Sequence, residues 1–309
     1  FGKTLNRYPD PIQSNLKQKI SEQENIDPQK IFLGNGSDEI IDLVIRIFCQ
    51  PGIDNIVTID PTYGMYEVLA RINGTEIKKS ALGNHFELST QNMLSKCDAQ
   101  TKVIILCSPN NPTGNLLDKE KVRFILNNFK GIVLLDEAYI DFSADKGFLD
   151  ELDNFPNLTI LQTLSKGWGL AGIRLGKAFA SKEIIHLLNK VKFPYNVSRV
   201  NQEYAKKALK RSRNIRSKIN TIVRERKKLT RLIKSFSFIE QVFPSDANFL
   251  LIKVKRLTSV LNFLQNSGII LRDRSGLKGC QNCIRITVGT PKQNKRLVKT
   301  LEKYERSLI

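Results

Sequence analysis

A run of apolar residues that stops abruptly on a carboxylate, Gly131-Ile132-Val133-Leu134-Leu135-Asp136, constrains the fold of this chain more than any other feature. Unbroken apolar runs of this length suit strands buried on both faces, and such strands belong to parallel sheets covered by helices. Similar runs recur near 55–59, 101–107, 158–162 and 176–180. Strand and helix signals alternate from Ile31 to about Val191, which predicts an α/β fold built on a mostly parallel sheet flanked by helices. Ligands of such sheets gather beyond the carboxyl ends of the strands. Asp136 therefore stands where chemistry is expected, although taken alone it could equally cap the following turn.

The strand near 158–162 leads into a hydroxyl- and glycine-rich turn, Thr163-Leu164-Ser165-Lys166-Gly167-Trp168-Gly169-Leu170-Ala171-Gly172-Ile173-Arg174-Leu175-Gly176. Lys166 can form a Schiff base with an aldehyde, while Thr163, Ser165 and Arg174 hold a phosphate. Pyridoxal phosphate requires that combination, a covalent anchor at one end and an anion site at the other. An isolated Ser-Lys pair reads as a surface turn; the surrounding glycines and Arg174 reverse that preference. Beside this turn, Asp136 becomes the partner of a protonated pyridine nitrogen, and Tyr139 a hydrogen-bond partner of the ring hydroxyl.

Three further segments fit the same ligand. Ser108-Pro109-Asn110-Asn111-Pro112-Thr113-Gly114 follows the strand at 101–107, and its prolines and glycine make a rigid turn that offers the Asn111 amide to the ring hydroxyl. Gly34-Asn35-Gly36-Ser37-Asp38-Glu39 precedes an apolar helix, so amides around Gly36 and Ser37 are open to a phosphate. Ser37 or Asp38 could equally be an ordinary N-cap. Asp60-Pro61-Thr62-Tyr63 places an aromatic ring near another strand end, able to stack on a flat cofactor.

Together with Arg7-Tyr8-Pro9-Asp10-Pro11, Tyr139-Ile140-Asp141-Phe142, Pro194-Tyr195-Asn196-Val197, Ala247-Asn248-Phe249 and Arg285-Ile286-Thr287-Val288-Gly289-Thr290, these segments resemble the fold-type I pyridoxal-phosphate aminotransferases over essentially the whole chain. Within them the likeness is sharpest to the subfamily acting on histidinol phosphate. The resemblance implies a large domain over 31–197 with a seven-stranded mixed sheet, and a smaller α+β domain from 1–30 and 198–309. It implies Lys166 as Schiff-base lysine and general base, with Asp136 and Tyr139 beside it in the chemistry. Gly36, Ser37, Tyr63, Asn111, Thr163, Ser165 and Arg174 would complete the cofactor site. Tyr8 would reach the cofactor phosphate from the neighbouring subunit of a homodimer. Arg285 would bind the carboxylate of glutamate or 2-oxoglutarate and, with Arg272 and near Asn111, the phosphorylated substrate.

The implied reaction moves an amino group between L-glutamate and imidazole-acetol phosphate, giving L-histidinol phosphate, in the cytoplasm and in histidine biosynthesis. Threonine-phosphate decarboxylation and aromatic transamination stay open as alternatives, because pocket shape decides among them. In the family an Asn- and Pro-rich arm precedes the Arg-Tyr-Pro segment; no residue of this sequence is assigned to it.

Composition narrows the remaining classes. A chain of 309 residues, 41% apolar, can bury a large core in about two domains. No apolar run approaches the roughly 20 residues of a membrane span. The five cysteines are scattered and suit a reducing compartment. Cys280 and Cys283 form a lone Cys-x-x-Cys, and His85 and His186 have no partner at ligand spacing, so no metal site is expected. The formal net charge of +19 raises the question of nucleic acid. Its richest stretch, 206–234, also carries Leu209, Ile215, Ile219, Ile222, Leu229 and Ile233 at helical spacing. It reads as an amphipathic helix with a solvated basic face, and no nucleic-acid partner is expected. Positive potential also attracts a phosphorylated substrate.

Overall fold

The five apolar runs become strands of one seven-stranded sheet in the computed structural model, which describes residues 5–308. The strands are β1 (Ile31–Gly34), β2 (Asn55–Asp60), β3 (Glu76–Ala81), β4 (Thr101–Cys107), β5 (Ile132–Asp136), β6 (Leu158–Thr163) and β7 (Gly176–Ala180). Their order is β1-β7-β6-β5-β4-β2-β3. Parallel ladders join β3, β2, β4, β5 and β6, while β7 runs antiparallel between β6 and β1. The protein thus has the expected α/β architecture with a mixed, mostly parallel sheet.

Helices α1 (Ser14–Glu24), α2 (Ser37–Phe48), α3 (Met65–Ile72), α4 (Thr90–Ser95), α5 (Lys119–Asn128), α6 (Lys182–Val191) and α7 (Arg199–Leu209) surround this sheet. Side chains alternate across it. Val133 and Leu135 join a core with α1, α5 and α7, and Leu134 joins the opposite core with α2, α3 and α6. By the same alternation Asp136 belongs to the α2–α3 face. β4 and β5 end level, Cys107 opposite Asp136, while β6 continues past Leu161, the partner of Asp136, to Thr163.

After α8 (Ser212–Ile233) come β8 (Ile239–Val242), β9 (Phe249–Val254), α9 (Leu257–Asn266), β10 (Arg272–Asp273), β11 (Cys283–Thr287) and α10 (Pro291–Arg306). The four strands form an antiparallel sheet, β10-β11-β9-β8, with its own core against α8, α9 and α10. β10 is short, with only Arg272 and Asp273 pairing to β11. One sequence expectation shifts here. The single basic helix expected over 206–234 is divided at Lys210–Arg211. Ala205 and Leu209 of α7 sink into the large sheet's core, whereas Leu229 and Ile233 of α8 belong to the small sheet's core. The chain has to turn between these two destinations. Leu16 and Ile20 of α1 share the large sheet's core with α7. Among the described residues no helix is long and apolar enough to cross a membrane.

Candidate active site

At the carboxyl ends of β4, β5 and β6 lies a cavity lined by Ser37, Asp38, Tyr63, Cys107, Asn111, Asp136, Ala138, Tyr139, Thr163, Ser165, Lys166 and Arg174. Nine of these were singled out from sequence; Asp38, Cys107 and Ala138 were not. Each group arrives by a local rule. Asp136 closes β5 and is 3% exposed. Its Oδ1 accepts the Ala138 amide at 3.0 Å and its Oδ2 accepts the Tyr66 hydroxyl at 2.6 Å. Burial pushes its carboxyl up to about 6, against these two bonds that pull it down. A carboxyl so placed calls for a cationic partner from the ligand.

Lys166 sits in the turn between β6 and β7. Leu164 N bonds Leu175 O at 3.0 Å and Leu170 N bonds Leu164 O at 3.0 Å, so the turn is closed by its own backbone. Among the described residues no hydrogen bond or ion pair holds Lys166 Nζ, which lies 5.5 Å from the Tyr139 ring centroid. Partial burial, and then the Arg285 guanidinium, hold its amine below the usual lysine range. An amine that is unpaired and more readily neutral is a competent nucleophile and base.

The opposite wall is an anion site. Like α1, α3, α8 and α9, α2 has no side-chain cap; it begins at Gly36, and its first residues Ser37 and Asp38 line the cavity. Gly36 does not line the cavity but shapes it. It adopts φ 83°, and a Cβ there would lie 2.5 Å from Arg174 Nη2. Gly176 is glycine for a related reason, since a Cβ on it would meet the Gly36 carbonyl oxygen at 2.7 Å. Arg174 itself holds a left-handed backbone, φ 47°, uncommon for a residue with a side chain. Its guanidinium makes only long contacts, 3.4 Å to Ala171 O and 3.5 Å to Asp38 Oδ2. Ser165 and Thr163 hydroxyls complete this end, Thr163 Oγ1 accepting the Ser165 amide at 3.1 Å. Gly36→Ala is expected to displace Arg174 and to weaken binding of a phosphorylated cofactor roughly tenfold, measurable by fluorescence titration of the cofactor-free protein.

Aromatic groups shape the space between. Tyr63 follows β2, and its hydroxyl donates to Asp38 Oδ1 at 3.2 Å. Burial first, and then Asp38, push its phenol up to about 12. Tyr139 is buried edge-on against Phe249, and burial raises its phenol too. Asn110, fully buried, ties the loop after β4 to the loop after β2 through Pro61 O, Thr113 Oγ1 and Thr62 Oγ1. That lock fixes where Asn111 and Tyr63 stand.

The substrate candidates divide. Arg285 on β11 donates to Asn111 Oδ1 at 2.7 Å, which brings the small sheet to the rim of the cavity. Its Nε is buried without a hydrogen-bond partner among the described residues, an unmet donor beside the site. Arg272 is its exposed register partner on β10, and both arginines line a groove beside the cavity rather than the cavity itself. Tyr8 does not line the cavity of its own chain. It is 76% exposed, stacks on Tyr195 at 4.3 Å between centroids, and its carbonyl accepts Arg199 Nη2 at 3.0 Å.

A lysine, a strand-end carboxylate and a loosely held arginine beside an uncapped helix thus meet at one cavity of a mixed α/β sheet. The chain belongs to the aminotransferase class I and II family, whose profile matches residues 2–301. The histidinol-phosphate aminotransferase of Parabacteroides distasonis is 52% identical to it over 297 residues, covering 96% of this chain and 86% of its own. That of Bacteroides fragilis is 49% identical over 300 residues, covering 97% and 87%. The crystal structure of the histidinol-phosphate aminotransferase from Clostridium acetobutylicum superimposes with a TM-score of 0.91 at 28% identity, covering 99% of this chain and 92% of that one.

Proposed function

We propose that this protein is a pyridoxal-phosphate-dependent histidinol-phosphate aminotransferase. The observation that carries it is the meeting of Lys166, Asp136 and Arg174 around one cavity with Arg285 bonded to Asn111 at its rim. High identity to two relatives of that name supports the substrate. The residues present fit the cofactor. A buried carboxylate stands at one end, free helix amides and a loosely held guanidinium at the other, and an unpartnered amine faces the space between.

Pyridoxal phosphate supplies an aldehyde that exchanges amines and a ring that spreads negative charge from the substrate carbon. Lys166 Nζ would hold that aldehyde, and as a free amine it would be the base that takes up the substrate Cα proton. Asp136 would keep a proton on the ring nitrogen, Asn111 Nδ2 and the Tyr139 hydroxyl would hold the ring oxygen, Tyr63 would pack on the ring face, and Thr163, Ser165, Arg174 and the amides at Gly36 and Ser37 would hold the phosphate. Arg285 receives the carboxylate of glutamate and, with Arg272, the phosphate of histidinol phosphate, a bidentate fork suited to both anions.

Arg285→Met is expected to lower kcat/KM for glutamate by about 2–4 kcal/mol of transition-state binding, roughly 30- to 1,000-fold, mostly through KM. Steady-state kinetics with each substrate checks it. A loss confined to histidinol phosphate would leave the carboxylate without its proposed ligand. To separate the decarboxylase alternative, the enzyme is given phosphothreonine alone. Carbon dioxide release there, with no glutamate formed from histidinol phosphate and 2-oxoglutarate, would replace the aminotransferase reading.

The site is proposed to be completed by a second copy, whose Tyr8 reaches the phosphate. An exposed apolar patch supports this, formed by Tyr8, Tyr195, Ile12 and Phe193, the last 81% exposed. The division into a larger part over 31–197 and a smaller part from 1–30 and 198–309 is also proposed, residues 1–4 and 309 lying outside the described ones. The separate core of the four-stranded sheet supports a distinct smaller part from α8 onward, whereas α1 and α7 share the large sheet's core and give the bounds at 30 and 198 no support. A cytoplasmic location is proposed as that expected of a biosynthetic transaminase.

A further inference from the structure

Behind Asp136, on the side away from the cavity, stands a residue that the reaction so far leaves unused. Tyr66 belongs to α3, is 0% exposed, and donates its hydroxyl to Asp136 Oδ2 at 2.6 Å. That is a short bond from a neutral donor to a carboxylate, in surroundings from which water is excluded. The same ring packs edge-on against Tyr63, 5.5 Å between centroids and 88° between planes. Tyr66 thus touches both the group assigned to the ring nitrogen and the group assigned to the ring face. Apolar residues of α2, α3, β4, β5 and β6 enclose it, and the Cys107 thiol also lies within hydrogen-bonding reach.

We propose that Tyr66 is a positioning residue that holds Asp136 as a carboxylate and so keeps the ring nitrogen of the bound cofactor protonated. The proposal rests on the reading of Asp136 as that nitrogen's partner. The argument is one of competition for a single proton. Asp136 and the ring nitrogen form either an ion pair, with the proton on nitrogen, or a neutral pair, with the proton on oxygen. In a buried site desolvation favours the neutral pair. A hydrogen bond donated to Oδ2 stabilises only the carboxylate and tips the balance back to the ion pair. The Ala138 amide at 3.0 Å on Oδ1 acts in the same direction. Burial does raise the Asp136 carboxyl, and the Tyr66 bond is the strongest influence opposing it. The phenol of Tyr66 is itself pushed well above its ordinary value by burial and by Asp136, so it remains a donor.

A residue that merely fills space would be replaced without loss by phenylalanine, which keeps the ring and its contact with Tyr63. The test is therefore Tyr66→Phe in the cofactor-loaded enzyme, with the cofactor's ring nitrogen labelled with nitrogen-15. Its resonance is expected to move towards the unprotonated position relative to the parent, and kcat to fall roughly tenfold to a hundredfold with little change in KM. A protonated nitrogen in the parent that is unchanged in Tyr66→Phe overturns the inference and leaves the Asp136 role intact. An unprotonated nitrogen in the parent overturns the Asp136 role, and the inference with it. Should Tyr66→Phe not fold, a fluorinated tyrosine placed at 66 strengthens the donor while preserving the shape. The resonance should then move further towards the protonated position, and no movement would overturn the inference.

Discussion

Lys166→Ala is expected to lower kcat by at least about three orders of magnitude while the protein stays folded and still takes up cofactor. The loss follows from the two duties proposed for one nitrogen, the anchor to the aldehyde and the shuttle for the Cα proton. The cavity's carboxylates are engaged, Asp136 by Tyr66 and Ala138 and Asp38 by Tyr63 and Arg174, and Tyr139 is held as a neutral phenol by burial. The fold should be indifferent, because Lys166 Nζ makes no hydrogen bond or ion pair among the described residues. Uptake should persist because Arg174 and the α2 amides remain. Single-turnover kinetics together with circular dichroism checks both halves. A variant turning over within about tenfold of the parent would remove Lys166 from its role.

Asp136→Asn is expected to be nearly as damaging to turnover, about a hundredfold or more, because an amide cannot keep the ring nitrogen charged. Its effect on stability has the opposite sign. In the cofactor-free protein the Asp136 carboxyl rises from 3.8 to about 6 through burial. The native state therefore binds this proton more tightly than the unfolded chain does. The resulting stabilisation is fully present below about pH 4 and is lost as the pH climbs through about 6. Above that, the buried carboxylate costs the fold at most about 3 kcal/mol. The cofactor-free variant should thus unfold at a higher temperature than the parent at pH 7 and at a similar one at pH 4. Cofactor should reverse the order, since its ring cation stabilises only the parent. Thermal denaturation at both pH values, with and without cofactor, reads all of this.

Much of the site is legible in the sequence because strand ends announce it. The run 132–135 is apolar on both faces and stops at Asp136, and the turn 163–176 carries its own glycines, hydroxyls and arginine. What stays hidden depends on elements far apart in the chain. Tyr66 lies inside an apolar helix and reads as core; its contact with Asp136 spans 70 residues. Asp38 reads as a helix cap, yet no side chain caps α2, and its carboxylate accepts from Tyr63 instead. Arg285 is visible as a charge inside an apolar run, but its bond to Asn111 exists only because the small sheet meets the large one. The break at Lys210–Arg211 carries no glycine or proline, since it arises from two helices packing on different cores.

The most direct test is an absorbance titration of purified protein loaded with pyridoxal phosphate, adding L-histidinol phosphate alone. The yellow band of the bound cofactor is expected to bleach in proportion to enzyme and to return on adding 2-oxoglutarate, with one glutamate formed per site. A band that ignores histidinol phosphate would contradict the proposed substrate. Failure to take up pyridoxal phosphate at all would contradict the assignment of Lys166, Asp136 and Arg174 to one cofactor.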